Sequence, residues 1–279
     1  MKSTYLLVDL NGVIFPWICS LETENTVNIK YMRNMFLTAI SNLKIYIKND
    51  AQVVICTEGK SWRKTMNPYY KANRSKSKSK YDWKAIYNIM DQILLEFKEN
   101  LNWTIINHPD AEADDVIAIL SKYIRDETII VSRDHDFIQL IDDTTTIYDP
   151  VKKSYVKKSP QEVLDKQFEH IVKGDSGDGV PNILSPIDTF VQEGTRQTPM
   201  TKKKYNILKN MSREEILSHP TYSKRFQENE QMVSFQYIPK HIIVDVISSY
   251  SNYKHTPNVM KYIQEHTMVS RHLDNIRYF

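Results

Sequence analysis

The stretch AEADDVIAILSKYIRDETIIVSRDHD, residues 111–136, decides the fold. It opens on acids, then runs through apolar residues at helical spacing over Val116–Ile124. After a charged turn it closes as an apolar run, Ile129–Ser132, with Asp134 and Asp136 just past its end. A helix leading straight into a short apolar strand is half of a βαβ unit, from which parallel sheets are built. The same pattern recurs on either side. Tyr5–Val8, Val53–Cys56 and Thr104–Ile106 read as earlier strands, with helical patterns over Tyr31–Ile47 and Trp83–Phe97, and Thr146–Tyr148 reads as a fifth strand. Beyond about residue 160 strand signals fade and helical ones dominate. The expected architecture is α/β: a mainly parallel sheet flanked by helices over 1–160, followed by a helical lobe over 161–279.

A chain of 279 residues with 41% apolar content has enough material for such a core. Net charge is only +3, but bases crowd residues 60–80, 152–158 and 202–209, while acids gather at a few short sites. Two cysteines, Cys19 and Cys56, fit a reducing compartment rather than a disulfide scaffold. The N-terminal apolar run carries Asp9 in its middle, unlike a signal peptide, and no apolar stretch is long enough for a bilayer. A soluble, cytoplasmic protein is expected, without a membrane partner.

The acids form a pattern. In an open α/β sheet, ligands gather beyond the carboxyl ends of the strands. Asp9 ends the first strand in LLVDLNG, Glu58 follows the second in VVICTEGK, and Asp134 and Asp136 follow the fourth. In HPDAEADDVIAIL, Asp110 reads as a helix N-cap, which puts Glu112, Asp114 and Asp115 in the first turn. GDSGDGVPN, residues 174–182, adds Asp175 and Asp178. Any one of these, taken alone, reads first as a turn former or a partner of a helix dipole. Several independent segments delivering acids to one rim point instead to hard cations, Mg²⁺ with Mn²⁺ able to substitute. Two ions about 3.5–4 Å apart can activate a water and stabilise the leaving oxygen of a phosphodiester.

Residues 60–80, KSWRKTMNPYYKANRSKSKSK, have no apolar period. Arg63, Lys64, Lys71 and Arg74 are interleaved with Trp62, Tyr69 and Tyr70, so the segment reads as a basic, aromatic arch for phosphates and bases rather than a plain linker. Lys202, Lys203 and Lys204 read either as a second phosphate track or as a solvated helix start. His108 and His135 lack a histidine partner at ligand spacing and read as structural. The C-terminal NIRYF, 275–279, reads as an apolar tail able to dock on a replication clamp.

VDLNG at 8–12, PYYKANR at 68–74, EADD at 112–115, SRDHD at 132–136 and GDSGDGVPNI at 174–183 together resemble the flap-endonuclease/5′-nuclease superfamily, in particular its T-even-phage ribonuclease H branch. The resemblance continues through GTRQTPM at 194–200 and RFQENEQMVSFQYIP at 225–239, and so runs in order along nearly the whole chain. It implies a PIN-like nuclease fold with a helix-hairpin-type DNA-binding element in the second lobe. It implies a Mg²⁺-dependent 5′-3′ exonuclease and flap endonuclease with RNase H activity. Asp9, Glu112, Asp114, Asp134 and Asp136 match the main metal acids, Asp178 completes the second site, and Asp115 and Asp175 are accessory. Lys71 and Arg74 match catalytic bases of the arch. Gly177, Gly179 and Val180 fall in a turn whose amides grip duplex phosphates, as anion nests do. The implied partners are DNA and RNA/DNA duplexes with 5′ ends, forks or flaps, a single-strand-binding protein and a sliding clamp. The implied state is a monomer, and the implied setting is a host bacterial cytoplasm.

One position departs from that pattern. Thr57-Glu58 stands where the family usually has Asp, so either Glu58 replaces that ligand or Thr57 leaves it absent. Two rivals follow. One is a decayed nuclease fold that only binds DNA. The other is a haloacid-dehalogenase-like phosphatase, against which stand the spacing of GDSGD and the helical look of VLDKQFEHIVK, residues 163–173.

Overall fold

Leu6, Leu7 and Val8 are all fully buried, because the first strand is covered on both faces and cannot alternate. The computed structural model describes residues 3–19, 28–76, 81–266 and 278–279. In chain order its elements are β1 (Thr4–Asp9), α1 (Leu10–Cys19), α2 (Ile29–Tyr46), β2 (Gln52–Cys56), α3 (Arg63–Met66), α4 (Trp83–Asn100), β3 (Thr104–Ile106), α5 (Ala113–Tyr123), β4 (Glu127–Val131), β5 (Thr145–Asp149) and β6 (Ser154–Val156). Helices follow: α6 (Pro160–Lys173), α7 (Lys202–Lys209), α8 (Arg213–Ser218), α9 (Ser223–Val233), α10 (Lys240–Ser251) and α11 (Val259–His266). Segment 163–173 is helix, so the strand a dehalogenase-like phosphatase needs there is absent.

The sheet runs β3-β2-β1-β4-β5-β6, parallel throughout except for the β5–β6 hairpin. Asp9 lies opposite Cys56, and Val8 opposite Val131, so β1, β2 and β4 end on one rim. The chain leaves β1 toward β2 and β3, then crosses back to β4. That makes the β1/β4 crevice the switch point, where open α/β sheets bind ligands.

Contacts divide the chain into Met1–Lys60, Ser79–Lys157 and Lys240–Phe279 as one unit, and Ser61–Lys78 with Lys158–Pro239 as the other. A division at residue 160 is therefore crossed twice. The arch segment groups with the helical lobe, and residues from 240 onward return to the sheet. The return has a visible cause. Val116 to Leu120 of α5 are buried all round, and a helix apolar on every side needs cover on its outer face. α10 supplies it, with Tyr123 Oη and Ser251 Oγ 3.0 Å apart.

The end of the chain is packed as well. Trp103 Nε1 donates to the Tyr278 carbonyl at 3.0 Å and Asn102 N–H to that of Phe279 at 2.7 Å, with both terminal side chains buried. The expectation of a free docking tail is corrected on these two residues; 275–277 lie outside the described residues. No helix among the described residues is long and apolar enough to cross a membrane.

Candidate active site

Asp9 leaves the end of β1 and is held on both oxygens. The Gly12 amide donates to Oδ1 at 3.0 Å, and the Ser132 hydroxyl donates to Oδ2 at 2.8 Å. Gly12 is required by space: a Cβ there would lie 2.2 Å from Asp9 Oδ2. Ser132, just past β4, also accepts from the Asp134 amide at 3.0 Å, and Asp134 Oδ1 accepts from the Asp136 amide at 2.8 Å. One line of hydrogen bonds thus ties Asp9, Asp134 and Asp136 together across the switch point. Burial pushes the Asp9 carboxyl up from its ordinary range; Gly12 and Ser132 oppose this, and the Asp134 charge adds to it.

The α5 acids arrive on the same rim. The helix begins one residue after Glu112, so Glu112 is the N-cap in place of Asp110. The reason is local: Asp115, three residues on, turns back to accept from the Glu112 amide at 3.1 Å, as in a capping box. Asp115 is wholly buried and Glu112 nearly so. Glu58 reaches the same helix start, its Oε2 accepting from the Ala113 amide at 3.3 Å. The β2 loop aims it there through Gly59, whose amide donates to Ala111 O at 2.8 Å, with no room for a Cβ beside His108 O. Burial pushes the Cys56 thiol well up, with the Asp9 and Asp114 charges both adding to the push. His108 is structural: its Nδ1 accepts from the Asp110 amide at 3.1 Å.

The arch residues belong to the second unit, and several differ from expectation. Trp62, Arg63 and Tyr70 are buried there, and Arg63 Nε donates to Met232 O at 2.7 Å. Arg63 and Tyr70 are packing residues rather than surfaces for nucleic acid, because the helical lobe closes over them; Lys64 and Tyr69 are exposed. Tyr70 Oη donates to Asp178 Oδ2 at 2.6 Å, Lys71 Nζ lies 3.5 Å from the same oxygen, and Arg74 pairs with Oδ1. Asp178 is therefore enclosed by three side chains of the arch.

The 174–182 turn is closed on itself. Asp175 and Val180 exchange backbone hydrogen bonds at 2.8 and 2.7 Å. The Asp175 carboxylate takes the Gly177 and Asp178 amides at 2.7 and 3.2 Å, and the Gly179 amide donates to Ser176 O. The amides from 177 to 180 are engaged within the turn, so the expected anion nest is corrected: Asp175 already occupies it. His170, 3.5 Å away, is the main cause that pulls Asp175 down to about 2. Lys202, Lys203 and Lys204 stand exposed in the first turn of α7, capped by Thr201.

Two polar residues that hold this turn carry no sequence signal of that role. Asn229, wholly buried, donates to Ile171 O and Pro181 O at 2.9 and 2.8 Å and accepts from Arg225. Asn182 donates to Thr198 O, and its amide to Gln197 Oε1, which explains the GTRQTPM segment. Ser132 also falls outside the sequence-predicted site residues; its signal is a hydroxyl between a strand end and the two acids of SRDHD.

Comparison with known proteins gives one consistent result. The model of the 5′-3′ exonuclease N-terminal resolvase-like domain matches residues 4–168, more than half of the chain, and that of the T4 RNase H C-terminal domain matches 162–278. Ribonuclease H of Enterobacteria phage T4 is 28% identical over 92% of this chain and 89% of its own length. A 5′-3′ exonuclease of Mycoplasmopsis pulmonis is 31% identical over 64% of this chain and 61% of its own. Among solved structures, the T5 D15 protein co-crystallized with metal ions superposes with a TM-score of 0.61 at 16% identity, covering 98% of this chain and 99% of that one. The last is a likeness of fold.

Proposed function

We propose that this chain, which belongs to the 5′-3′ exonuclease family, is a structure-specific 5′ nuclease that hydrolyses phosphodiesters to remove RNA primers and 5′ flaps during DNA replication. The observation that carries the reading is the hydrogen-bonded line Asp9–Ser132–Asp134–Asp136 at the switch point. Glu58 and Glu112 join it on the same rim, at the start of α5. An all-oxygen, carboxylate-rich donor set with buried members suits divalent cations, which offset both the burial that chiefly pushes Asp9 up and the Asp134 charge that adds to it. Asp9, Glu112, Asp114, Asp134 and Asp136 would hold Mg²⁺, most simply two ions with Mn²⁺ able to substitute, and Glu58 takes the place of the usual Asp. Such ions, when bound, supply an activated water and charge for the leaving oxygen.

The chain's own residues do the positioning. The Asp134 carboxylate is held by the Asp136 amide and its backbone by Ser132 Oγ, so little reorganisation of Asp134 accompanies the reaction. Arg74, the more exposed of the two cations on Asp178, and Lys71 are assigned to phosphate. Lys64 and the lysines at 202–204 extend the basic surface, the latter where the helix dipole also favours anions. A DNA or RNA/DNA duplex is the substrate, a single-strand-binding protein the proposed partner, and a bacterial cytoplasm the setting.

The test is cleavage of a 5′-labelled flap duplex and an RNA-primed duplex in Mg²⁺ and in EDTA, with Asp134→Asn beside wild type. Short 5′ products that need both Mg²⁺ and Asp134 are expected. Salt-sensitive binding without cleavage would move the assignment to a decayed nuclease that retains only its DNA surface.

A further inference from the structure

We infer that Ser132 is a positioning residue for the acidic site: its hydroxyl sets the Asp9 carboxylate and the Asp134 backbone in one frame, and so fixes how tightly a divalent cation is taken. The inference rests on the nuclease reading above and deepens it. Three features carry it. The side chain is 1% exposed, so no water competes for its hydrogen bonds. Its oxygen accepts from the Asp134 amide at 3.0 Å while its hydroxyl donates to Asp9 Oδ2 at 2.8 Å, so both of its roles are engaged within the site. Its own amide donates to Tyr148 O at 3.2 Å, so Ser132 is anchored to β5 as well. A single side chain therefore links the tip of β1 to the loop after β4.

The geometry on Asp9 makes this hydroxyl consequential. The Gly12 amide holds Oδ1, and the Gly12 Cα leaves no space for a larger residue beside Oδ2. Without Ser132 the carboxylate is held only by the amides of its own loop, Asn11 and Gly12, and loses its tie across the crevice to β4. Outer partners of metal-binding carboxylates commonly change affinity by about tenfold to a hundredfold when removed.

The experiment compares wild type, Ser132→Ala and Ser132→Thr in two readouts. One is Mn²⁺ binding, followed by the loss of the free-ion paramagnetic resonance signal, with no substrate present. The other is the Mg²⁺ concentration that gives half-maximal flap cleavage. Duplex binding in EDTA serves as the control for folding. Ser132→Ala should weaken Mn²⁺ binding and raise the Mg²⁺ requirement by about tenfold or more, while Ser132→Thr, which keeps the hydroxyl, stays within about threefold of wild type. Unchanged Mn²⁺ affinity in Ser132→Ala overturns the inference while leaving the nuclease intact. Equal loss in Ala and Thr variants also overturns it, since packing rather than the hydroxyl would then be responsible. Absence of Mn²⁺ binding in wild type would instead bring down the nuclease reading itself.

Discussion

Two aspartates, Asp9 in the sheet unit and Asp175 in the helical unit, are each engaged by backbone amides, yet their carboxyls are driven in opposite directions. Burial pushes Asp9 up, and the neighbouring Asp134 charge adds to the push. Asp175 is pulled down to about 2, first by His170 and then by the Asp178 and Gly177 amides acting against burial. The difference lies in what completes each environment. Around Asp175 and Asp178 the protein supplies its own partners, His170 beside the first and the cations Lys71 and Arg74 on the second. At the β1/β4 rim it gathers further carboxylates. Asp175 and Asp178 have basic partners within the chain, whereas the partners the structure gives Asp9 are amides, a hydroxyl and a neighbouring carboxylate, the setting in which the proposed cation would act.

The largest effect that would break this contrast is loss of Asp9 itself. Asp9→Asn should reduce Mg²⁺-dependent cleavage by more than about a hundredfold, beyond the range for outer partners, and leave duplex binding in EDTA near wild type. Cleavage at wild-type rate would show that the rim is not the reacting site. Next in size is Gly12→Ala. The added Cβ would sit 2.2 Å from Asp9 Oδ2 and must displace the carboxylate. Cleavage should fall about tenfold to a hundredfold, with the fold kept because α1 accepts alanine well. A fully active Gly12→Ala would mean that the orientation of Asp9 is not critical.

The balanced region is probed through Asn229, which touches neither proposed phosphate cations nor acids. Asn229→Leu would leave the Ile171 carbonyl without this donor, at a cost of about 1–3 kcal/mol for a buried group left unsatisfied, while Pro181 O keeps Arg225 Nη2 at 3.2 Å. The expected result is a lower urea midpoint and weaker duplex binding in EDTA, with little change in Mn²⁺ binding. If the variant lost Mn²⁺ binding but kept duplex binding, the division of labour between the units would be reversed.

The same contrast explains what the sequence made legible. The strands were readable because buried parallel strands are continuous apolar runs: Thr104–Ile106 matches β3, and Val53–Cys56 lies within β2. The acids at strand tips were readable because a strand end points at a known rim. What could not be read depended on contacts distant in sequence. Trp62, Arg63 and Tyr70 look like an exposed basic-aromatic arch, since nothing nearby in the chain announces that the helical lobe will bury them. The amides of GDSGDGVPN look free for phosphate until Asp175 is seen to turn into its own loop. The α5 start was misplaced by two residues because Asp110 and Glu112 are both plausible caps, and only the Asp115 side chain chooses between them. The return of 240–279 to the sheet follows from the all-round burial of α5, which its sequence displays but whose partner it does not name.

The smallest expected effect is also the sharpest test of the contrast, because the two aspartates should tilt stability in opposite senses. Asp175 has a folded pKa below its ordinary 3.8. Its contribution is fully present above that value and is lost as pH falls toward about 2. Asp9 has a folded pKa above 3.8, so its contribution is present below that value and lost as pH rises through the raised one. In EDTA, thermal midpoints across the acid range should therefore respond to two substitutions in two windows. Asp175→Asn should flatten the gain between about pH 2 and 3.8, and Asp9→Asn should flatten the decline above 3.8. One proton limits each slope to about 1.4 kcal/mol per pH unit. Mg²⁺ should suppress the Asp9 window alone, because a cation bound there takes over the role of the proton. An Asp9→Asn profile that keeps the wild-type decline above pH 3.8 would mean that the buried carboxylate is already compensated by the chain, and the two regions would then differ in composition only.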